Sequence, residues 1–74
     1  MARIDVATEI TGNVWKIVVA VGDRVEEDEP IMILESMKME IPVSAPEAGT
    51  VIEILTEEEA VVREGAVVAR IETD

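Results

Sequence analysis

The sequence contains no cysteine, histidine, phenylalanine or tyrosine, and only one tryptophan. Without cysteine the chain has neither disulfides nor thiolate-bound metal, the two devices that often stabilise very small domains. Without histidine it lacks the usual general base, so its serine hydroxyls have no activating partner. A chain of 74 residues also leaves little room for a substrate cleft. We therefore do not expect an independent enzyme.

Positive charge and long apolar segments are scarce as well. Six Lys and Arg residues against 17 Asp and Glu residues give a net charge of −11. Such a chain cannot neutralise nucleic-acid phosphates, and an anionic membrane surface would repel it. The longest apolar run, Ile17 to Val21, is far shorter than the ~20 residues of a membrane span. The start Met-Ala-Arg-Ile-Asp does not resemble a signal peptide. We expect a soluble, cytoplasmic, monomeric protein.

The aliphatic residues that are present favour strands. Val and Ile dominate, with only two Leu, and branching at Cβ suits pleated strands better than helices. Turn residues divide the chain into short segments, which predicts an all-β fold. The expected strands cover residues 4–7, 14–21, 24–26, 31–35, 40–44, 50–55, 61–63 and 67–72. As a local alternative, Thr56 followed by three glutamates resembles the start of a single helical turn.

The chain contains an internal repeat with a period of 37 residues. An ungapped shift of that length superposes Gly12-Asn13-Val14 on Gly49-Thr50-Val51. We therefore predict one domain over residues 1–74, built from half-repeats of about residues 1–37 and 38–74. Four strands in each half, related by a pseudo-twofold axis, predict two four-stranded antiparallel sheets packed into a flattened barrel or sandwich.

The repeat also predicts which side chains are buried. Ile33 aligns with Arg70, so both positions are expected to face outward, and alternation then predicts inward side chains at Met32, Leu34, Ala69 and Ile71. Trp15 is expected to be a partly buried packing residue, with a partner contact as the alternative.

The midpoint of the chain departs from the usual turn chemistry. Ser36-Met37-Lys38-Met39 separates two apolar strands, which calls for a tight hairpin, yet hairpin turns normally use Gly, Asn or Asp. A departure of this kind indicates a functional site. The alternative is an ordinary solvated lysine, but that does not explain the two flanking methionines.

These residues carry a family resemblance. Glu35-Ser36-Met37-Lys38-Met39 resembles the Glu-Ala-Met-Lys-Met signature of the biotinyl attachment domain. The similarity continues through Gly12-Asn13-Val14 and Ala48-Gly49-Thr50-Val51 and covers essentially the whole chain. Short free-standing bacterial biotin/lipoyl attachment proteins and the biotin carboxyl carrier domains of biotin-dependent carboxylases are the most similar members. The resemblance implies a barrel-sandwich hybrid fold with covalent biotin on Lys38, at the central hairpin turn.

The resemblance also implies a carrier without catalytic activity of its own. Biotin protein ligase would attach biotin to Lys38. The biotin arm would then carry CO2 between a biotin carboxylase and a carboxyltransferase. The residues expected to be recognised by the ligase are Glu35, Ser36, Met37 and Met39.

Two departures and two alternative functions are relevant. Ser36 replaces the usual Ala, a small change, whereas Glu59-Ala60 stands where relatives commonly have Gly-Asp, which is costly if that turn needs positive φ. A lipoyl carrier would share the fold, but lipoyl domains usually have Asp-Lys-Ala around the lysine, and Met37 stands in place of the acidic residue. The other alternative is an unmodified β-sandwich that serves as an interaction module.

Overall fold

A computed structural model describes residues 2–73 as two antiparallel sheets, with no helix in that range. One sheet has the strand order β1-β8-β6-β3 and the other the order β5-β4-β2-β7, which confirms the predicted all-β fold. The strands are β1 (Arg3–Ala7), β2 (Gly12–Ile17), β3 (Arg24–Val25), β4 (Pro30–Ser36), β5 (Met39–Ser44), β6 (Gly49–Ile54), β7 (Val61–Val62) and β8 (Val67–Thr73).

The pseudo-twofold repeat is visible in the strand bounds. A shift of 37 residues carries β2, β3 and β4 onto β6, β7 and β8 with identical lengths. The same shift converts the order β1-β8-β6-β3 into β5-β4-β2-β7. Each half of the chain therefore contributes two strands to each sheet, so neither half forms a complete sheet alone.

The core lies between the sheets and is aliphatic. Met32, Leu34, Ala69 and Ile71 are all fully buried, as the repeat predicted, while Ile33 and Arg70 are only partly buried. Burying one such aliphatic side chain contributes about 1.5–3 kcal/mol. The other fully or nearly fully buried apolar residues are Val6, Val14, Val25, Ile31, Val43, Ala45, Val51, Val62 and Val68.

The predicted end of β2 was wrong, and the local alternative of a helical turn is not adopted. Strand β2 ends at Ile17 and not at Val21, because the chain turns toward Gly22, whose φ is 100°, and the Ala20 N–H donates to the Asp23 carboxylate at 2.9 Å. The helical turn over residues 56–59 does not form. Glu59 instead takes a φ of 74°, the conformation of its repeat counterpart Gly22.

Each half carries a β-bulge at the same repeat position. In the β2–β4 ladder Val14 pairs with Leu34 and Lys16 with Ile33, so Trp15 is the extra residue. Ile52 occupies the equivalent position in the β6–β8 ladder. A bulge redirects side chains, and 46% of Trp15 is exposed, so the residue is about half-buried. The Lys16 ammonium lies 5.6 Å from the centroid of its ring.

Candidate attachment site on the central hairpin

Strands β4 and β5 form a hairpin with a two-residue turn. Ser36 pairs with Met39, which leaves Met37 and Lys38 as the two central residues. Their φ angles are 50° and 65°, as a type I′ turn requires. The midpoint therefore adopts the conformation that the sequence made costly, with neither glycine nor asparagine at its centre.

The turn is strained, and the strands beneath it hold it in place. A left-handed conformation costs an ordinary L-residue about 1–2 kcal/mol, and such strain persists where the surrounding structure determines the geometry. The β4–β5 ladder runs from Pro30 to Ser36. Gly12 of β2 packs closely against Glu35, which belongs to the second pair below the turn, because a Cβ there would lie 2.8 Å from the carbonyl oxygen of Glu35. Close packing thus fixes the base of the hairpin.

The tip of the hairpin projects into solvent. Met37 is 92% exposed and Met39 is 62% exposed, and Lys38 between them is also exposed. Within residues 2–73 the Lys38 side chain takes part in no hydrogen bond or ion pair. Its primary amine is therefore accessible to a partner enzyme without breaking any contact, and two flexible apolar side chains flank it.

The remaining residues predicted for ligase recognition lie at the base of this tip. Ser36 is partly buried, whereas Glu35 is exposed and pairs across the strands with Glu40. Like charges directly opposite each other are destabilising in a sheet. The geometry thus places Glu35, Ser36, Met37 and Met39 around one accessible amine.

A shallow groove beside the hairpin was not predicted from the sequence. It is lined by Asn13, Trp15, Glu35, Glu58 and Glu59. The bulge turns Trp15 toward this groove, and no periodicity in the sequence announces a one-residue bulge. The predicted exposure of a turn lysine is the only signal that pointed to this end of the molecule.

Other kinds of site find no support among the described residues. No group of three or more acidic side chains in residues 2–73 has a geometry suited to a metal ion. The same range contains no helix long and apolar enough to cross a membrane.

The chain is similar in sequence to several known proteins. Residues 4–71 match the family model described as biotin-requiring enzyme. The biotin/lipoyl attachment protein of Bacillus subtilis is 45% identical over 62 residues, which cover 84% of this chain and 85% of that protein. The dihydrolipoyllysine-residue acetyltransferase component of the pyruvate dehydrogenase complex from Corynebacterium glutamicum is 43% identical over 60 residues, which cover 81% of this chain but only 9% of that protein.

A solved structure agrees in fold. The crystal structure of the Kluyveromyces lactis urea carboxylase superposes with a TM-score of 0.91 at 39% sequence identity, covering 97% of this chain and 6% of that one. The acetyltransferase component and the urea carboxylase are both much longer than this chain, and each contains a segment that is similar to most of it.

Proposed function

The chain belongs to the family of biotin-requiring enzymes, and from this premise we propose that it is a biotin carboxyl carrier with biotin attached to Lys38. The observation that carries the proposal is the strained hairpin, which presents one free amine between two exposed methionines. A sequence that accepts strain and exposed apolar surface at one place has a functional reason for both.

The residues of the hairpin fit covalent attachment of biotin. An amide bond needs an accessible primary amine, and the Lys38 side chain is exposed and makes no hydrogen bond or ion pair within residues 2–73. Formation of that amide from an activated biotin carboxylate expels the activating group and releases one proton from the amine. The ligase must provide the group that accepts this proton.

The flanking side chains are proposed to select the enzyme that modifies Lys38. Met37 and Met39 are unbranched and polarizable, so they adapt to a partner's surface, and their exposure leaves them available for contact. Glu35 and Ser36 lie immediately below them in the hairpin. Biotin protein ligase would recognise these four residues, which surround the amine in the hairpin.

Once attached, biotin would accept a carboxyl group at a biotin carboxylase and release it at a carboxyltransferase. The chain itself contributes tethering and presentation, because an attached arm holds its load near each active site at an effective concentration of about millimolar. The two-residue turn at Met37 and Lys38 would be the point from which that arm extends. No catalytic group from this chain is needed.

A lipoyl carrier is the second candidate, because one similar segment lies within a dihydrolipoyllysine-residue acetyltransferase. The two candidates differ at the residue before the lysine. Met37 favours biotin, since the biotinyl signature has Met at this position and lipoyl domains usually have Asp.

Intact mass spectrometry after co-expression with biotin protein ligase and excess biotin tests the proposal. The chain has only two lysines, Lys16 and Lys38, which provides a matched control. We expect wild type and Lys16→Arg to gain one biotin each and Lys38→Arg to gain none. A folded wild type that gains no biotin, but gains lipoyl from a lipoate ligase, would establish the second candidate.

A further inference from the structure

The internal repeat allows the outer faces of the two sheets to be compared position by position. At the first residue of β1, Arg3 pairs with Glu72 of β8, and their side chains form an ion pair at 3.7 Å. The equivalent pair in the other sheet is Glu40 with Glu35. One backbone arrangement therefore carries opposite charges in one sheet and like charges in the hairpin-bearing sheet.

The next row of outward residues differs in the same sense. In the sheet containing β8, Arg70 lies between two carboxylates and bonds Asp5 at 2.9 Å and Glu53 at 3.0 Å. These bonds, the one with Asp5 foremost, raise the pKa of the guanidinium. The charged side chains of this row therefore pair with one another.

The equivalent row of the hairpin-bearing sheet is Pro42–Ile33–Lys16, which cannot form such a triad. Pro42 is exposed and Ile33 partly so. Beside them the bulge residue Trp15 is 46% exposed, and Val61, on the neighbouring strand β7, is 70% exposed. An aromatic and several aliphatic side chains thus replace the internally paired ions of the opposite face.

We infer that the outer face of the sheet β5-β4-β2-β7 is a docking surface for a basic surface of the biotin carboxylase. This docking face has an apolar centre of Trp15, Ile33 and Pro42, and its border is formed by Glu35, Glu40 and Val61. An exposed tryptophan within a ring of charges has the composition of an interface hot spot. The inference rests on the proposed carrier function, because the carboxylase is the partner that must meet the loaded arm.

Charge complementarity selects a basic occupant. Glu35 and Glu40 lie opposite each other without a cation between them, and Glu58 and Glu59 border the same groove as Trp15. Lys16, the cation beside the bulge, already covers the tryptophan ring. A partner carrying arginine or lysine relieves the repulsion, whereas a second copy of a chain with net charge −11 adds to it.

The position of the docking face suits an enzyme that receives the arm. Ile33 lies three residues before the end of β4 at Ser36, about 10 Å at the rise of an extended strand, and Lys38 lies in the turn that follows. A protein that contacts Trp15 and Ile33 therefore covers the strands below the turn and not the turn itself. This leaves the turn free to extend its arm into an active site on the same partner.

Carboxylation kinetics with biotinylated protein test the inference, using the biotin carboxylase of the same organism. Each variant is first shown by intact mass to be fully biotinylated, which separates docking from loading. We expect Trp15→Ala to raise KM about tenfold or more with kcat unchanged. Ile52→Ala, at the equivalent bulge of the opposite sheet, should leave KM at the wild-type value.

A pair of variants at Val61 tests the sign of the partner's charge. The repeat counterpart of this position is Arg24, so the backbone accommodates a charged side chain there. We expect Val61→Lys to raise KM several-fold and Val61→Glu to leave it unchanged or lower it. Circular dichroism confirms that both variants are folded.

Each other outcome overturns the inference in a distinguishable way. Equal KM values for Trp15→Ala and wild type would exclude this face, while biotin attachment stands. Equal effects of the two Val61 variants would exclude a basic partner. Slower loading by the ligase with unchanged KM would assign the face to the ligase, and a dimer that dissociates on Trp15→Ala would assign it to a second copy. A wild type that takes no biotin would remove the carrier function and this inference together.

Discussion

Glu59 adopts a left-handed backbone conformation that suits its side chain poorly. Its φ is 74°, matching the 100° of its repeat counterpart Gly22, and Asp28 takes 68° opposite Gly65 at 87°. In each of these two repeat pairs both members therefore have a positive φ, although only one member is glycine. Asp tolerates the left-handed region better than Glu does, so the cost is concentrated at Glu59.

Replacing that glutamate should stabilise the fold. We expect Glu59→Gly to raise the free energy of unfolding by about 1 kcal/mol, because relief of a left-handed strain of about 1–2 kcal/mol exceeds the entropy that glycine adds to the unfolded chain. Urea denaturation measures the change as a higher midpoint at constant slope.

Two control variants separate strain from charge at this turn. Glu59→Gln removes the same negative charge and keeps the strain, so it should recover little of the gain. Asp28→Gly should gain less than Glu59→Gly. A Gln variant as stable as the Gly variant would show that charge repulsion, and not backbone strain, limits stability here.

The central hairpin combines strain and function in one element. Met37 and Lys38 both have positive φ, whereas an Asn-Gly pair would adopt the same turn with little cost. We expect the double variant Met37→Asn/Lys38→Gly to be about 2 kcal/mol more stable and to accept no biotin. In a domain of this size that gain corresponds to a melting temperature about 8–16 °C higher.

Thermal unfolding of the double variant beside Lys38→Arg checks this prediction. Lys38→Arg also loses the modified amine but retains a left-handed ordinary residue, so its melting temperature should stay near that of wild type. If both variants melted at the wild-type temperature, the turn would store no strain, and the argument that function maintains it would fail.

The regular elements could be predicted from the sequence, and the irregular ones could not. Val and Ile content with the 37-residue repeat predicted eight strands, their two-sheet packing and the buried faces at Met32 and Ile71, because these depend on alternation. The bulge at Trp15 was missed because it interrupts the alternation: Val14 and Ile17 pair with Leu34 and Met32 on one face although they are three residues apart. The end of β2 was misplaced because Val18 to Val21 are apolar yet lie outside the ladder.

The candidate site likewise has features that the sequence predicted and features that it did not. Its position and its positive φ angles followed from a hairpin placed between two strands without turn residues. The asymmetry of the two outer faces did not, because it depends on which residues lie opposite each other, as in the pair Glu35–Glu40. Cross-strand pairing is a property of register, which the sequence alone specifies only through the repeat.

The net negative charge of the molecule disfavours its compact folded state. Seventeen acidic residues face six basic ones, and the described ion pairs, such as Arg70 with Asp5 and Glu53, use only a few of them. The remaining carboxylates repel one another across a radius of gyration of only 11.3 Å. Their mutual repulsion therefore spans distances that salt can screen.

Salt should stabilise this protein, although it weakens surface ion pairs. Between 0.01 M and 0.15 M NaCl the screening length falls from about 30 Å to about 8 Å, which removes long-range repulsion while contacts at 2.9 Å are affected less. We expect the melting temperature of wild type to rise by several degrees over this range. A variant with four exposed glutamates changed to Gln, at Glu26, Glu27, Glu47 and Glu57, should melt higher at 0.01 M and respond less to salt. If wild type and the variant responded equally, or if salt lowered both melting temperatures, short-range ion pairs and not net charge would govern the electrostatic part of stability.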